Sequence, residues 1–243
     1  MKPIFLRKES LLIKILFVLI FSFFSSGSLA QVLIGSKAGV NFSSLKVIYS
    51  EDYYNETQEL KGQSNIFFGA FFNAYLTGGL SLQPEVVFSM TGGEDKTTWL
   101  DEYSNVREEG EYNEKFKFTY LDVPVLLQYE LSKKISFQAG FQFSFLLSAR
   151  SSGKVSFQIF ENNQTTFTGG HSWDDENIKE YMRSPGLGFV AGVKYNVSER
   201  FHINARYNLG VSNLINSEDF YEDEDSKMRL NIAQISLEYV VFK

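Results

Sequence analysis

The sequence predicts an all-β protein: an eight-stranded antiparallel transmembrane β-barrel, built as an up-and-down meander with long extracellular loops and short periplasmic turns. Three observations support this prediction. Residues 135–147 alternate almost perfectly between bulky apolar and small polar side chains, similar segments recur seven more times, and the connections between them alternate between short and long. Because neighbouring side chains of a strand point to opposite faces, residues 135–147 form a strand with one apolar face, consisting of Ile135, Phe137, Ala139, Phe141, Phe143, Phe145 and Leu147.

The other seven strands are predicted from the same period of two. Segment 65–76 is apolar on both faces, so its pattern fixes the register less firmly than elsewhere. An even number of strands closes an antiparallel barrel with both chain ends on the same side. The seven segments are approximately 33–42, 65–76, 80–90, 116–129, 186–195, 201–212 and 228–242.

The connections predict the orientation of the barrel. Short connections next to long ones are typical of outer-membrane barrels, in which the turns face the periplasm and the loops face the outside. Long connections without secondary structure would be unusual in a compact soluble domain. The short connections are 77–79, 130–134 and 196–200, and the long ones are 43–64, 91–115, 148–183 and 213–227.

A soluble lipocalin-type barrel, with its apolar faces turned inward, is the main structural alternative. An eight-stranded interior has little room for the many aromatic rings of these strands. The polar faces also collect glycines, which suit a crowded interior better than a solvated surface. These glycines are Gly39, Gly69, Gly140, Gly188, Gly192 and Gly210. The sequence therefore favours aromatic rings facing lipid and polar side chains facing the lumen.

The amino terminus predicts export. Basic residues precede an apolar stretch over 15–24, and small residues follow at 25–30, which is the pattern of a cleaved secretory signal peptide. We therefore expect a signal peptide at 1–30 and one barrel domain at 31–243. The chain contains no cysteine, so no disulfide stabilises the fold, and its net charge of −6 argues against nucleic acid as a partner.

Several segments resemble the PorT-like family of outer-membrane β-barrel proteins. The resemblance runs through the predicted mature chain in the same order, and the Leu-Gln-Pro-Glu and Tyr-Leu-Asp-Val-Pro sequences are its more specific elements. It implies an eight-stranded barrel in the outer membrane of a Gram-negative bacterium and an association with protein secretion. One departure is Lys243, which follows the terminal aromatic residue typical of such barrels. The segments are 35–45, 82–89, 120–127, 137–140 and 205–210.

Charged residues on the polar faces predict an ion-pair and hydrogen-bond network that fills the lumen. Buried charges are costly unless they are paired, and an eight-stranded interior is only wide enough for side chains. A narrow solute path is the alternative function of the same residues. The predicted network contains Lys37, Glu85, Asp122, Lys194, Arg206 and Glu238, with Arg229 as a further candidate.

Catalysis has one candidate segment. His171-Ser-Trp-Asp-Asp175 places a histidine, a serine and two acids together in the third long loop, as a loop-side hydrolase or acyltransferase would require. Adjacent residues rarely adopt triad geometry, so we expect a protein that is not an enzyme and has no catalytic, cofactor or metal site.

The second and fourth long loops combine acidic residues with aromatic rings. A solvated surface beside lipopolysaccharide explains the acidic residues alone, and a calcium site is another possibility, although no twelve-residue calcium-loop pattern is present. Exposed rings favour docking of protein partners in secretion or envelope maintenance. A small passive transport or adhesion barrel is the alternative function. The candidate docking residues are Trp99, Tyr103, Glu218, Asp219, Phe220 and Tyr221.

Overall fold

A computed structural model describes residues 32–48, 57–162, 164–216 and 226–243. The predicted signal peptide at 1–30 lies outside these ranges, as do the candidate docking residues Glu218, Asp219, Phe220 and Tyr221. Both proposals therefore stay predictions.

Eight strands form a closed antiparallel barrel, which confirms the predicted fold class. Their order around the ring is β10, β9, β8, β6, β5, β4, β3, β1, and β1 pairs with β10 to close it. Two additional strands lie at the margin, because β2 pairs only with the end of β1, and β7 pairs with β6. The bounds are β1 Val32–Ile48, β2 Thr57–Glu59, β3 Lys61–Thr77, β4 Leu80–Tyr103, β5 Val106–Glu130, β6 Ile135–Glu161, β7 Gln164–Asn177, a 3₁₀ helix Lys179–Tyr181, β8 Gly186–Asn196, β9 Phe201–Gly210 and β10 Lys227–Phe242.

The three short turns lie at one end of the barrel, as predicted. Gly78 and Gly79 connect β3 to β4 with positive φ values of 60° and 82°, the conformation that a tight type I′ hairpin requires. The first and last strands meet at this same end, where Ile34 pairs with Phe242. We refer to it as the periplasmic end.

The apolar faces point outward, as the sequence analysis favoured. Phe141 is 55% exposed and Leu237 is 61% exposed, whereas Glu85 on the polar face is 2% exposed. At Gly39 the backbone of β10 approaches so closely that no side chain would fit between the strands. This part of the barrel, with apolar residues outside and polar residues inside, is called the membrane half below.

Two of the four predicted long loops are largely strand. β4 and β5 continue through 91–115 as one hairpin, and β6 and β7 fill most of 148–177. A strand crosses a membrane with about 9–11 residues, so β6, with 27 residues, extends far beyond it. The alternation was not recognisable here because polar side chains occupy both faces of these extensions.

Above the membrane half, the polarity of the two faces is reversed along the same strands. On β5 the inward side chains change from Gln128 and Asp122 to Tyr120, Phe118 and Phe116, which are all buried. The register between β1 and β10 is constant from Gly35 to Ile48, so only the chemistry of each face changes there. The extracellular half of the barrel therefore encloses an apolar core like that of a soluble protein. Its members are Leu45, Val47, Leu60, Phe116, Phe118, Tyr120, Leu146, Ala149, Ile178, Met182, Leu214, Ile215, Met228, Leu230 and Ile232.

Two segments outside the barrel strands contribute to this apolar core. Ile178 and Met182 flank the 3₁₀ helix, and Leu214 and Ile215 follow β9. The segments hold each other through a bridge between Met182 and Ile215. Together with the inward side chains of the strands, they close the interior on the extracellular side.

Arg229 corrects one expectation. It is exposed on the outer surface of β10, opposite Lys46 of β1, and does not line the lumen. Its odd number gives it the same face as Ile235 and Leu237, which both point outward.

Candidate functional site

The interior of the membrane half contains a compact ion-pair cluster. Arg206 donates two hydrogen bonds to Glu85, from Nη1 to Oε2 at 2.9 Å and from Nη2 to Oε1 at 2.8 Å. Lys37 Nζ donates to Oε2 of the same carboxylate at 2.8 Å. Glu238 forms ion pairs with Arg206 at 3.3 Å and with Lys194 at 3.5 Å. Five of the six residues predicted for the lumen network therefore meet in one cluster.

Neutral side chains extend this cluster to all eight barrel strands. Arg206 Nε donates to Gln138 at 2.8 Å, and Gln138 in turn donates to Gln128 at 3.0 Å. On the opposite side, Gln83 accepts from Lys194 at 3.1 Å and from Asn73 at 3.0 Å. Every barrel strand thus contributes at least one side chain to a network that crosses the lumen.

Asp122, the sixth predicted residue, lies apart from the ion pairs. It is buried beside Ser89, Gln142 and Ser144, and no basic side chain of the described residues forms an ion pair with it. Asp122 borders a small cavity of about 30 Å³ between the polar network and the apolar core. Such a cavity can hold water but not a solute.

The lumen is therefore closed by two successive layers of different chemistry. The ionic network fills the membrane half, and the apolar core fills the extracellular half. A solute would have to separate several buried ion pairs and then pass through packed aromatic and aliphatic side chains. Within the described residues, the side chains of these two layers fill the interior of the barrel.

A four-stranded sheet projects beyond the barrel on the extracellular side. We call it the outer sheet; it consists of 95–103 of β4, 106–115 of β5, 150–161 of β6 and all of β7. The described part of β7 pairs only with β6, so its second edge is unpaired among the described residues. The outer sheet has one face continuous with the lumen and one continuous with the exterior of the barrel.

The lumen-side face of the outer sheet collects aromatic rings. Tyr112 and Trp173 lie 6.0 Å apart, His171 and Trp173 6.2 Å apart, and Phe157 and Phe167 5.7 Å apart, measured between ring centroids. We call the set the aromatic face. Its members are Trp99, Tyr112, Phe157, Phe167, His171 and Trp173.

Glycines opposite these rings allow them to lie flat against the sheet. Trp99 covers Gly110, its partner on β5, and Trp173 covers Gly153, its partner on β6. In both places the ring occupies the volume that a side chain would need, so large residues alternate with glycine across the strands. The rings remain partly exposed to solvent.

Polar side chains fix the orientation of the rings. Trp99 Nε1 donates to Glu108 at 3.2 Å, and Trp173 Nε1 donates to Ser151 at 2.9 Å. Glu114 accepts hydrogen bonds from the hydroxyl groups of Ser151 and Tyr112. The aromatic face is therefore a preorganised surface with carboxylates among its rings.

The structure places both described docking candidates on this surface. Trp99 lies within the aromatic face, and Tyr103, which is 77% exposed, has the same orientation at the tip of the β4–β5 hairpin. The sequence analysis did not identify Phe157, Phe167 and Trp173 as members of this surface, because it treated their segments as a loop. The signal was present in the spacing of His171 and Trp173, which lie two residues apart with Gly169 preceding them.

The candidate catalytic segment is extended strand. His171 and Ser172 are consecutive residues of β7 and point to opposite faces, so they do not form a nucleophile and base pair. Asp175 accepts a hydrogen bond from Arg150 at 2.9 Å. Within the described ranges, no group of three or more acidic or histidine side chains is placed to hold a metal ion.

A comparison with protein families agrees with this architecture. A family model described as an outer membrane protein beta-barrel domain matches residues 24–216. Similar solved structures include Ail of Yersinia pestis, with 13% identity, 84% of this chain and 98% of that chain covered, and a TM-score of 0.33. Neisserial surface protein A shows 10% identity, 84% and 96% coverage, and a TM-score of 0.35. No curated protein matches.

The outer membrane protease OmpT from Escherichia coli is also similar, with 10% identity. The match covers 86% of this chain and 96% of that one, with a TM-score of 0.34.

Proposed function

This chain belongs to the family of outer membrane protein beta-barrel domains and resides in the bacterial outer membrane, and on that basis we propose that it is a non-enzymatic barrel that presents its outer sheet to a protein partner. The partner acts in protein secretion or in maintenance of the envelope. The aromatic face carries this proposal, because it is a preorganised aromatic surface that the fold does not use for its own closure.

The composition of the aromatic face supports a protein partner. Half-exposed Trp, Tyr and Phe rings are enriched in protein interfaces, where they bury much area with little loss of conformational entropy. Glycine platforms and hydrogen bonds to Glu108 and Glu114 already restrict the rings in the free protein. A partner would therefore bind with a small additional ordering cost.

A passive transport function is less well supported by the interior. The ionic network and the apolar core lie in series along the lumen, so we expect negligible steady conductance in planar bilayers. Large and reproducible single-channel steps from the purified protein would contradict this expectation and favour transport.

A hydrolase or acyltransferase function is also less well supported, because His171 and Ser172 face opposite sides of β7. A Ser172→Ala variant, in which the changed side chain faces away from the aromatic face, is expected to retain the cellular phenotype of the unchanged protein. Loss of that phenotype with normal folding and with retained partner crosslinks would favour catalysis.

Photocrosslinking in intact cells tests the docking proposal by face. A photoreactive residue at Tyr103 or Phe167 samples the aromatic side of the outer sheet, and the same residue at Thr98 or Gln158 samples the opposite side. All four side chains are exposed, so the two pairs are matched controls. We expect defined protein adducts from positions 103 and 167 and few from positions 98 and 158.

Identification of the adducts separates the remaining functions. A secretion or envelope component should be attached to other proteins of that machinery, whereas a lone adhesin should yield none in a pure culture. Equal crosslinking from both sides of the outer sheet, or none from either, would overturn the docking proposal.

A further inference from the structure

Basic side chains surround much of the barrel just above its lipid-facing band. They belong to six neighbouring strands in ring order, β10, β1, β3, β4, β5 and β6. On β5 the outward residues change from Leu121 through Thr119 to Lys117, and on β1 from Phe42 through Ser44 to Lys46. We call the set the basic girdle. It consists of Lys46, Lys61, Lys96, Lys115, Lys117, Arg150 and Arg229.

Two pairs of like charges face each other across adjacent strands in the basic girdle. Lys46 of β1 lies opposite Arg229 of β10, and Lys117 of β5 lies opposite Arg150 of β6. Like charges in directly opposed positions destabilise a sheet, because their Cβ atoms are only about 5 Å apart. An anion bound between the two side chains would remove this repulsion and contact both.

The acidic residues near the basic girdle do not neutralise its charge. Lys46 approaches Glu59 at 3.9 Å, and Arg150 pairs with Asp175 at 2.9 Å. Across the described part of the chain, Lys117 and Arg229 form no ion pair. Both are exposed, and their charges are available to a ligand.

Glu94 shows that the local potential is positive. It lies 3.3 Å from Lys96 and 3.7 Å from Lys115. Desolvation opposes its ionisation, but the hydrogen bond from Lys96 and the charges of Lys96, Lys115 and Lys61 lower the pKa of Glu94 below its ordinary value. One carboxylate is thus surrounded by three bases, so the net charge of this region remains positive.

Charge is sorted by height along the outer surface. The whole chain has a net charge of −6, and acids such as Glu102, Glu109 and Glu111 occupy the exterior of the outer sheet above the girdle. Bases instead concentrate at the level where the apolar exterior ends. This arrangement places seven bases at the membrane boundary of an acidic protein, while Arg107 and Lys154 lie among the acids higher on the outer sheet.

We propose that the basic girdle binds the phosphate groups of phosphorylated glycolipids in the outer leaflet. The acyl chains of such a lipid would lie against the apolar band, and its phosphates would reach the girdle directly above. Arginine and lysine favour phosphate through charge-assisted hydrogen bonds. A soluble acidic protein could make the charge contacts but would not contact the adjoining lipid-facing surface.

The ligand site covers only part of the circumference. The outward residues nearest the described ends of β8 and β9 are Leu187 and Leu209, which are apolar rather than basic. Lipid binding is therefore expected on the side of the barrel that bears the outer sheet. This inference does not depend on what the aromatic face binds.

A lipid titration of the purified protein in detergent or nanodiscs tests the inference. The probes are diphosphorylated lipid A, the same lipid A after removal of its phosphates, and inorganic phosphate. The test variant is Lys117→Gln with Arg229→Gln, which removes no ion pair of the described structure. The control variant is Lys133→Gln with Lys134→Gln, in the exposed turn at the periplasmic end.

We expect the unchanged protein and the control variant to bind phosphorylated lipid A equally. The test variant should bind it about tenfold more weakly, as the loss of charge-assisted hydrogen bonds predicts. Binding of the dephosphorylated lipid should be weak in all three proteins. Folding is verified from the heat-dependent migration of each barrel in gels, and Lys117→Gln alone, with a smaller loss, replaces a double variant that fails to fold.

Three outcomes would overturn the inference. Equal affinity for phosphorylated and dephosphorylated lipid A would show that phosphate is not recognised. An equal loss of affinity in the control variant would show that the girdle is not the site. Inorganic phosphate that binds as tightly as lipid A would show that the lipid contributes nothing.

Discussion

The membrane half and the extracellular half of this barrel consist of the same strands, but they differ in which face is apolar. The apolar face points outward in the membrane half and inward in the extracellular half. In the membrane half, Phe141 and Leu237 face lipid while Glu85 and Arg206 are buried in the lumen. In the extracellular half, Phe118 and Leu230 are buried while Lys117 and Arg229 face outward. The comparison shows that the surrounding solvent decides which face of a strand is apolar, and that one strand can satisfy two solvents in succession.

The largest effect should come from breaking the ionic network of the membrane half. Arg206→Met removes the two hydrogen bonds to Glu85 and the ion pair to Glu238, leaving buried carboxylates with fewer partners. We expect the free energy of unfolding to fall by about 4 kcal/mol, measured by urea titration in lipid vesicles. Arg229→Met is the control and should change it by less than about 0.5 kcal/mol.

Similar values for Arg206→Met and Arg229→Met would contradict the assignment of buried and exposed arginines. They would mean that the lumen of the membrane half is hydrated enough to solvate Glu85 without Arg206.

The next effect should come from the apolar core of the extracellular half. Phe118→Ala leaves a cavity among side chains such as Phe116 and Tyr120 and should lower the free energy of unfolding by about 3 kcal/mol. Lys117→Ala, at the adjacent outward position, should have little effect. The same urea titration measures both, and a larger effect at Lys117 would reverse the proposed orientation of the two faces.

A smaller effect is expected from placing a charge on the lipid-facing surface. Phe141→Arg should lower the free energy of unfolding by about 2 kcal/mol, because arginine is costly where the exterior faces hydrocarbon. Thr98→Arg, on the outward face of the outer sheet, faces water and should be nearly neutral. If both substitutions lowered the free energy of unfolding equally in lipid vesicles, the membrane would lie at a different level from the one assigned here.

The smallest effect concerns the periplasmic end. Lys243 Nζ lies 2.8 Å from Glu199 Oε2, and this hydrogen bond and charge lower the pKa of Glu199 below its ordinary value. The attraction is therefore present above the ordinary pKa of a glutamate and is lost as the pH falls through the lowered value. Lys243→Gln should raise the pKa of Glu199 towards its ordinary range, as measured by NMR titration, and an unchanged pKa would contradict the pairing.

The membrane half could be predicted from sequence because its alternation is strong. Phe137, Phe141 and Phe143 against Gln138 and Gln142 leave only one way to orient β6 once the solvent is known to be lipid. The same alternation predicted which charged side chains face the lumen. It also places Arg229 on the outward face, whereas the charge of Arg229 had suggested a position in the lumen.

The extracellular half was harder to predict for two physical reasons. The apolar core inverts the polarity of faces, so Phe116 and Phe118 did not fit the pattern read from Leu121 and Val123 on the same strand. The outer sheet has polar residues on both faces, so its strands were treated as loops. The aromatic face depends on pairing across four strands, which no single segment reveals.

Spin-label accessibility along β5 tests the exchange of faces most directly. The chain has no cysteine, so a nitroxide can be attached to one introduced cysteine at a time from position 115 to position 127. The account predicts that outward positions 121, 125 and 127 are reached by oxygen in the bilayer, that positions 115 and 117 are reached by a water-soluble relaxation agent, and that positions 116 and 118 are reached by neither. Oxygen accessibility that continues with the same phase through position 115, or water access to position 118, would contradict it.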